Sequence, residues 1–275
     1  EWAEEFSKTF PGGRNGSDWQ REMEGRFDAF AGKPVFPEFT RATHVIPAFT
    51  VPEEWPKWRV IDPGLNHALA CLFFTLDPWK ETLIVFDEHV QAGWTQVEKH
   101  AQVIKGKTGK HKIEFTLIDP SGFAKTLQGG GKSVADLFAE NGIPVSPAYR
   151  AAKKREQIPA MSALLHVRDD GEPRFKVMDN CENTIAGIMR YRWKPKSRED
   201  MDEPDEPIKM MDDEVDCALY ACASIDPKRS AALLRDDDPL KPWYSGSDRQ
   251  RIRADTRRLR ETVSHQFFGR DDEEP

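Results

Sequence analysis

Two stretches, "RVIDPG" at residues 59–64 and "LIDPSG" at residues 117–122, close two apolar runs with the same tripeptide, Ile-Asp-Pro. Proline pushes the residue before it into extended geometry. It also withholds an amide from any strand ladder. Asp62 and Asp119 are therefore expected at the last extended position of two strands. Taken singly, each Asp-Pro is an ordinary turn starter. The repetition suggests more, because ligands of open α/β sheets bind just outside the carboxyl ends of the strands. If the two strands are parallel neighbours, both carboxylates enter one crevice. Like charges that close repel unless a proton or a cation lies between them. Mg²⁺ suits such a place, since it takes carboxylates, waters and phosphate oxygens as ligands.

The surrounding pattern predicts strands at Trp58–Ile61, Ala68–Leu76 and Thr82–Asp87, with links short enough for an antiparallel meander. A helix is expected over Thr95–Ile104, where Val97, Ala101 and Ile104 keep helical spacing. A fourth strand is expected at Lys112–Ile118, and a helix at Lys132–Asn141 that Gly142 stops. A short fifth strand at Ile143–Ser146 follows. Further helices are expected near Ile158–His166, Asn183–Arg192 and Asp213–Ile225, with a hairpin signal at Asp169-Asp170-Gly171. Three strands in a meander and two more entering through helical crossovers make an α/β fold: a mixed β-sheet flanked by helices on both faces.

Three regions are expected. Residues 1–43 read as a linker or the edge of a neighbouring domain, with one helical stretch near Ser17–Phe30. Residues 44–225 form the folded domain. Residues 226–275 are a charged, partly disordered tail that includes a basic run over Arg249–Glu261. The chain opens Glu1-Trp2-Ala3, without Met or a signal pattern, so it is expected to be a fragment of something longer.

Composition narrows the function classes. The net charge of −7 over 275 residues excludes a molecule that is basic throughout, although not a local basic groove. No apolar run reaches 18 residues, so no membrane span is expected. The four cysteines, Cys71, Cys181, Cys217 and Cys222, form no CxxC pair, and the histidines form no HExxH. Reduced thiols are expected, with neither a zinc site nor a disulfide framework.

A third acid cluster, Asp212, Asp213 and Asp216, opens the stretch "MMDDEVDCALYACAS" at residues 210–224. Acids in a first turn suit a helix N-terminus, which would be reason enough for them. Asp212 and Asp216 are nonetheless four apart and Asp213 and Asp216 three apart, so they share a face. Val215, Leu219 and Cys222 form the buried stripe beside it. A carboxylate so placed is costly unless paired or bound to metal.

Taken together, the chain resembles the nuclease domain of a tailed-bacteriophage terminase large subunit, a member of the RNase H-like superfamily. The resemblance runs through "PVFPEFTRATHVI" (34–46), "RVIDPG", "LIDPSG", "CENTIAGIMRYRWK" (181–194) and "DDEVDCALYA" (212–221). The last stretch is similar to the family's Asp-His/Asp-x-x-Asp-Ala-x-Arg-Tyr, with Cys217 in place of Ala and Leu219 in place of Arg. Losing that Arg removes a salt bridge that would help dock the helix.

The resemblance implies an endonuclease that cuts concatemeric viral DNA during genome packaging, with two Mg²⁺ or Mn²⁺ ions. It implies that Asp62 bridges both ions, that Asp119 holds one and Asp213 the other, and that Asp212 and Asp216 lie in or near the coordination sphere. No side-chain nucleophile is needed. Expected partners are double-stranded DNA, the portal protein, the terminase small subunit and an ATPase domain that precedes residue 1. The expected compartment is the host cell cytoplasm.

Basic residues are read as candidate phosphate contacts: Lys132 at a helix start, Lys153 and Lys154, and Arg192, Lys194, Lys196 and Lys209 around a hairpin next to the third acid cluster. Further clusters lie at Lys105-Lys107-Lys110-Lys112 and include Arg190 and Arg198. "LQGGGKS" at residues 127–133 is not a Walker A motif, because Thr126 stands where its first glycine belongs. Two other readings share parts of this pattern. A junction resolvase or transposase-like nuclease would prefer branched DNA. A non-catalytic portal-docking module would show no turnover that depends on divalent ions.

Overall fold

The computed structural model describes residues 32–64, 68–125, 131–148, 154–195, 205–209 and 212–225. Side chains alternate along the first long strand, β2 (Lys57–Asp62). Trp58 and Val60 join one hydrophobic core, and Ile61 joins a second on the other face of the sheet. The same alternation continues in β3 (Leu69–Asp77), where Ala70, Leu72 and Phe74 face the first core and Leu69, Cys71 and Phe73 the second. Burial on both faces explains why these strands are apolar throughout.

The remaining strands are β1 (Val45–Ile46), β4 (Thr82–Gln91), β5 (Thr116–Ile118), β6 (Ser146–Pro147) and β7 (Phe175–Met178). Among the described residues they form one seven-stranded sheet in the order β1-β7-β4-β3-β2-β5-β6. The β2-β3-β4 meander is antiparallel, whereas β5 runs parallel to β2, β6 to β5, and β7 to both β4 and β1. This is the expected mixed sheet.

A short helix, α1 (Arg41–His44), precedes β1. The second core is covered by α2 (Val97–Thr108) and α3 (Val134–Glu140). The first is covered by α4 (Ile158–Leu165), α5 (Glu182–Arg190) and α6 (Asp213–Ile225). Helices therefore lie on both faces. No helix among the described residues is long and apolar enough to cross a membrane.

Several expectations shift. Strand β7 is absent from the sequence reading, which stopped at the preceding turn. That turn is real, with Gly171 at φ +81° and a bridge between Val167 and Pro173. The ladder of β5 begins only at Thr116, although the Glu114 amide already donates to the Lys57 carbonyl. Val35, Phe36 and Phe39, assigned to the linker, are buried in the first core. Helix α6 carries no single stripe, because every residue from Asp213 to Ser224 is buried. Such a helix belongs to an interior rather than to a surface. All four cysteines are free and buried. The helical stretch near Ser17–Phe30 and the tail from residue 226 lie outside the described residues.

Candidate active site

Trp58 and Val60 face the first core, so the two-residue period sends Asp62 toward the same face. Leu117 also faces that core, and the period carries Asp119 there too. Strands β2 and β5 are adjacent and parallel, with Ile61 opposite Ile118. The Asp119 amide then donates to the Ile61 carbonyl at 3.0 Å. The two aspartates are thus brought together as expected, at one end and on one face of the sheet.

Each Ile-Asp-Pro is a turn as well as a strand end. Oδ1 of Asp62 accepts from the Gly64 amide at 3.2 Å, and Oδ1 of Asp119 from the Ser121 amide at 2.8 Å. A side chain that bonds the amide two residues on holds the chain in a fixed bend. Gly64 has φ +50°, and a Cβ there would strike the Ala68 carbonyl, so only glycine closes this turn. The turn reading and the site reading are therefore compatible: one oxygen of each carboxylate fixes the bend, and the second oxygen of Asp119 meets α6.

Helix α6 packs across β2 and β3. The Cys217 thiol donates to the carbonyl of Ala70, the register partner of Asp62, at 3.6 Å. This sets the helix start over the sheet end. Asp213 and Asp216 are buried there at 7% and 8% exposure, and Asp212 is half-buried, its carbonyl accepting from the Asp216 amide at 2.8 Å. Burial pushes the Asp62 carboxyl well above its ordinary range, and the charges of Asp216, Asp119 and Asp213 push it further. The Gly64 amide opposes them. Burial also raises the Tyr191 phenol, with Asp216 and then Asp212 adding to it.

These carboxylates sense one another, yet among the described residues no three His, Cys, Asp or Glu side chains stand close enough to hold a metal ion as they are. The expected ligand shell is therefore not drawn together. Asp119 leans on the hydroxyl of Tyr220, which donates to its Oδ2. The donor chemistry nonetheless fits a hard divalent cation. Asp62, Asp119, Asp213 and Asp216 supply only carboxylate oxygens, and a cation would relieve the repulsion that raises Asp62.

Residues missed by the sequence reading hold the site in place. Buried Glu214 pairs with Arg190 across the α5–α6 contact, supplying the docking pair that Leu219 cannot. Leu219 itself is fully buried in the core. Glu88 of β4 accepts from the amides of Asn183 and Thr184 at 2.8 Å each, and from both of their side chains, fixing the α5 N-terminus. Tyr220 was legible only as part of the terminal motif, four residues after Asp216 on the same helix face.

The basic candidates divide. Lys132 forms an exposed pair with Glu140 at 2.7 Å, and Ser133 beside it caps α3. Arg190 pairs with Glu214. Arg192 donates to the Met189 and Tyr191 carbonyls at 2.6 and 3.2 Å. Lys107 pairs with Asp87. Lys194 and Lys209 are exposed. The backbone around them pairs as a hairpin would, with Trp193 bridging Pro207. Lys154 begins a single 3-10 turn. Lys153, Lys196 and Arg198 lie outside the described residues.

No protein-family model matches the chain, and no curated protein does. Solved structures do match. The large terminase of a thermophilic bacteriophage superposes with a TM-score of 0.56 at 21% identity, over 71% of this chain and 45% of that one. The same protein in complex with ATP-γ-S gives 0.55 at 19%, over 80% and 51%. The P22 large terminase nuclease domain gives 0.53 at 19%, over 68% of this chain and 90% of that one. The chain thus spans about half the length of the thermophilic phage's large terminase. At these identities the likeness establishes the fold alone: the mixed, helix-flanked sheet is shared with the P22 large terminase nuclease domain.

Proposed function

We propose that this chain is the nuclease portion of a phage large terminase, a divalent-cation-dependent endonuclease acting on double-stranded DNA during genome packaging. One observation carries the reading. Parallel neighbours β2 and β5 deliver Asp62 and Asp119 to one sheet end, and α6 lays Asp213 and Asp216 over that same end.

Asp62, whose carboxyl is pushed up by burial and by the charges of Asp216, Asp119 and Asp213, would be the ligand common to the cations. Asp119 and Asp213 would hold the cations with it, and Asp212 and Asp216 would lie in or near the same shell. Two Mg²⁺ or Mn²⁺ ions bound there would supply a water activated for in-line attack and charge relief at the leaving 3′ oxygen. The protein's own part would be to carry the carboxylates on the ends of β2 and β5 and on the start of α6. Exposed Lys194 and Lys209 steer the backbone phosphates, joined by Lys132 once it releases Glu140. Contacts of that kind ignore base sequence and weaken as salt rises. The whole machine would add an ATPase domain, a portal and a small subunit, in the host cytoplasm.

The test is relaxation of supercoiled plasmid. The wild-type chain with Mn²⁺ is expected to nick and linearise it, and chelator to stop the reaction. Asp62→Ala is expected to lower the rate roughly 10²-fold or more, the scale on which losing a charge-stabilising group slows an enzyme. Nicking by Asp62→Ala at the wild-type rate would refute the proposal.

A further inference from the structure

Asp119 is held from two directions. Its Oδ1 accepts the Ser121 amide of its own turn, and its Oδ2 accepts the Tyr220 hydroxyl from α6. The second bond spans 101 residues of sequence and is buried, with Tyr220 only 4% exposed. Tyr220 lies four residues after Asp216 and seven after Asp213, so all three share one helix face. A single rigid helix therefore carries two of the site's carboxylates together with the donor that fixes a third, which belongs to a different strand. Cys217, on the next turn back, ties the same helix to Ala70 opposite Asp62.

We propose that Tyr220 is a positioning residue. Its hydroxyl orients the Asp119 carboxylate so that the spacing between the β5 acid and the α6 acids, and with it the affinity for the divalent cation, is set by α6. This inference rests on the proposed cation site. The tyrosine acts through Asp119 alone, as partners of metal-ligating carboxylates do. Burial, and then Asp119, Asp216 and Asp62, push the phenol's own ionisation upward, so it remains a donor.

Tyr220→Phe removes the hydroxyl and keeps the ring. In the full 275-residue chain, three quantities decide the matter: Mn²⁺ affinity by calorimetry, thermal midpoint in chelator, and plasmid nicking as a function of Mn²⁺ concentration. The expected result is an affinity loss of about tenfold or more, the usual effect of removing such a partner. The half-saturating Mn²⁺ for nicking should rise in step, with most of the rate recovered at saturation. Tyr220→Leu, which also loses packing, should be less stable than Tyr220→Phe yet no weaker in Mn²⁺ affinity. Unchanged affinity in Tyr220→Phe overturns the proposal. So does affinity that falls only in proportion to stability across the two variants, which is the mark of a docking contact. A wild-type chain that binds no Mn²⁺ overturns the cation site itself, and the proposal with it.

Discussion

The Asp62 carboxyl is buried among other acids at the strand end. Its folded ionisation lies well above its ordinary value of 3.8, because burial and three neighbouring acids disfavour the charge. The sign follows from linkage. As pH rises past 3.8, the unfolded chain loses this proton while the folded chain keeps it, so stability falls with rising pH until the folded group also ionises. Asparagine does not titrate. In chelator near neutral pH, Asp62→Asn is expected to melt at a higher temperature than wild type, with the gap closing as pH falls toward 3.8. Thermal melts across pH check this, and an Asp62→Asn that melts lower near neutral pH would contradict it. At this scale the sequence was partly legible. The two Ile-Asp-Pro stretches announced their place at neighbouring strand ends because proline constrains a neighbour whatever the fold. Tyr220 and Glu214 did not, because their partners lie 101 and 24 residues away. Nothing local marks a tyrosine as a hydrogen-bond donor to a particular carboxylate.

Among the elements, α6 is the one on which the site depends, and its seating on α5 is tight. A Cβ on Gly187 would overlap the Glu214 side chain, which is buried and tied to Arg190. Overpacking of this kind costs about 1–3 kcal/mol. Gly187→Ala is expected to lower the denaturant midpoint accordingly, and to lower nicking further as the α6 acids shift. An unchanged midpoint would show that Glu214 swings aside freely. The long apolar strands β2, β3 and β4 were readable because burial on both faces leaves little but apolar residues. Strand β7 was not. It is four residues long, carries Lys176 at its centre, and pairs only with distant β4 and β1. Helix α6 was placed correctly but read as one-sided, since sequence spacing shows which residues share a face and not how many faces are covered.

At the level of the whole molecule, the acid site exists only when separate pieces meet. Two strand ends come from opposite sides of α2, and a helix arrives from beyond residue 212. The fold class was legible because the order of elements allows few topologies: a meander followed by crossovers yields a mixed sheet. The basic surface was less so. Lys132, Lys107 and Arg190 are each paired with an acid that charge counting could not assign. The central claim, that these segments converge to hold a divalent cation, is tested most directly by a crystal soaked in Mn²⁺ and measured at the manganese absorption edge. Anomalous density among the carboxylates of Asp62, Asp119, Asp213 and Asp216 is the predicted result. Anomalous density elsewhere on the surface, with none among those four carboxylates, would contradict it.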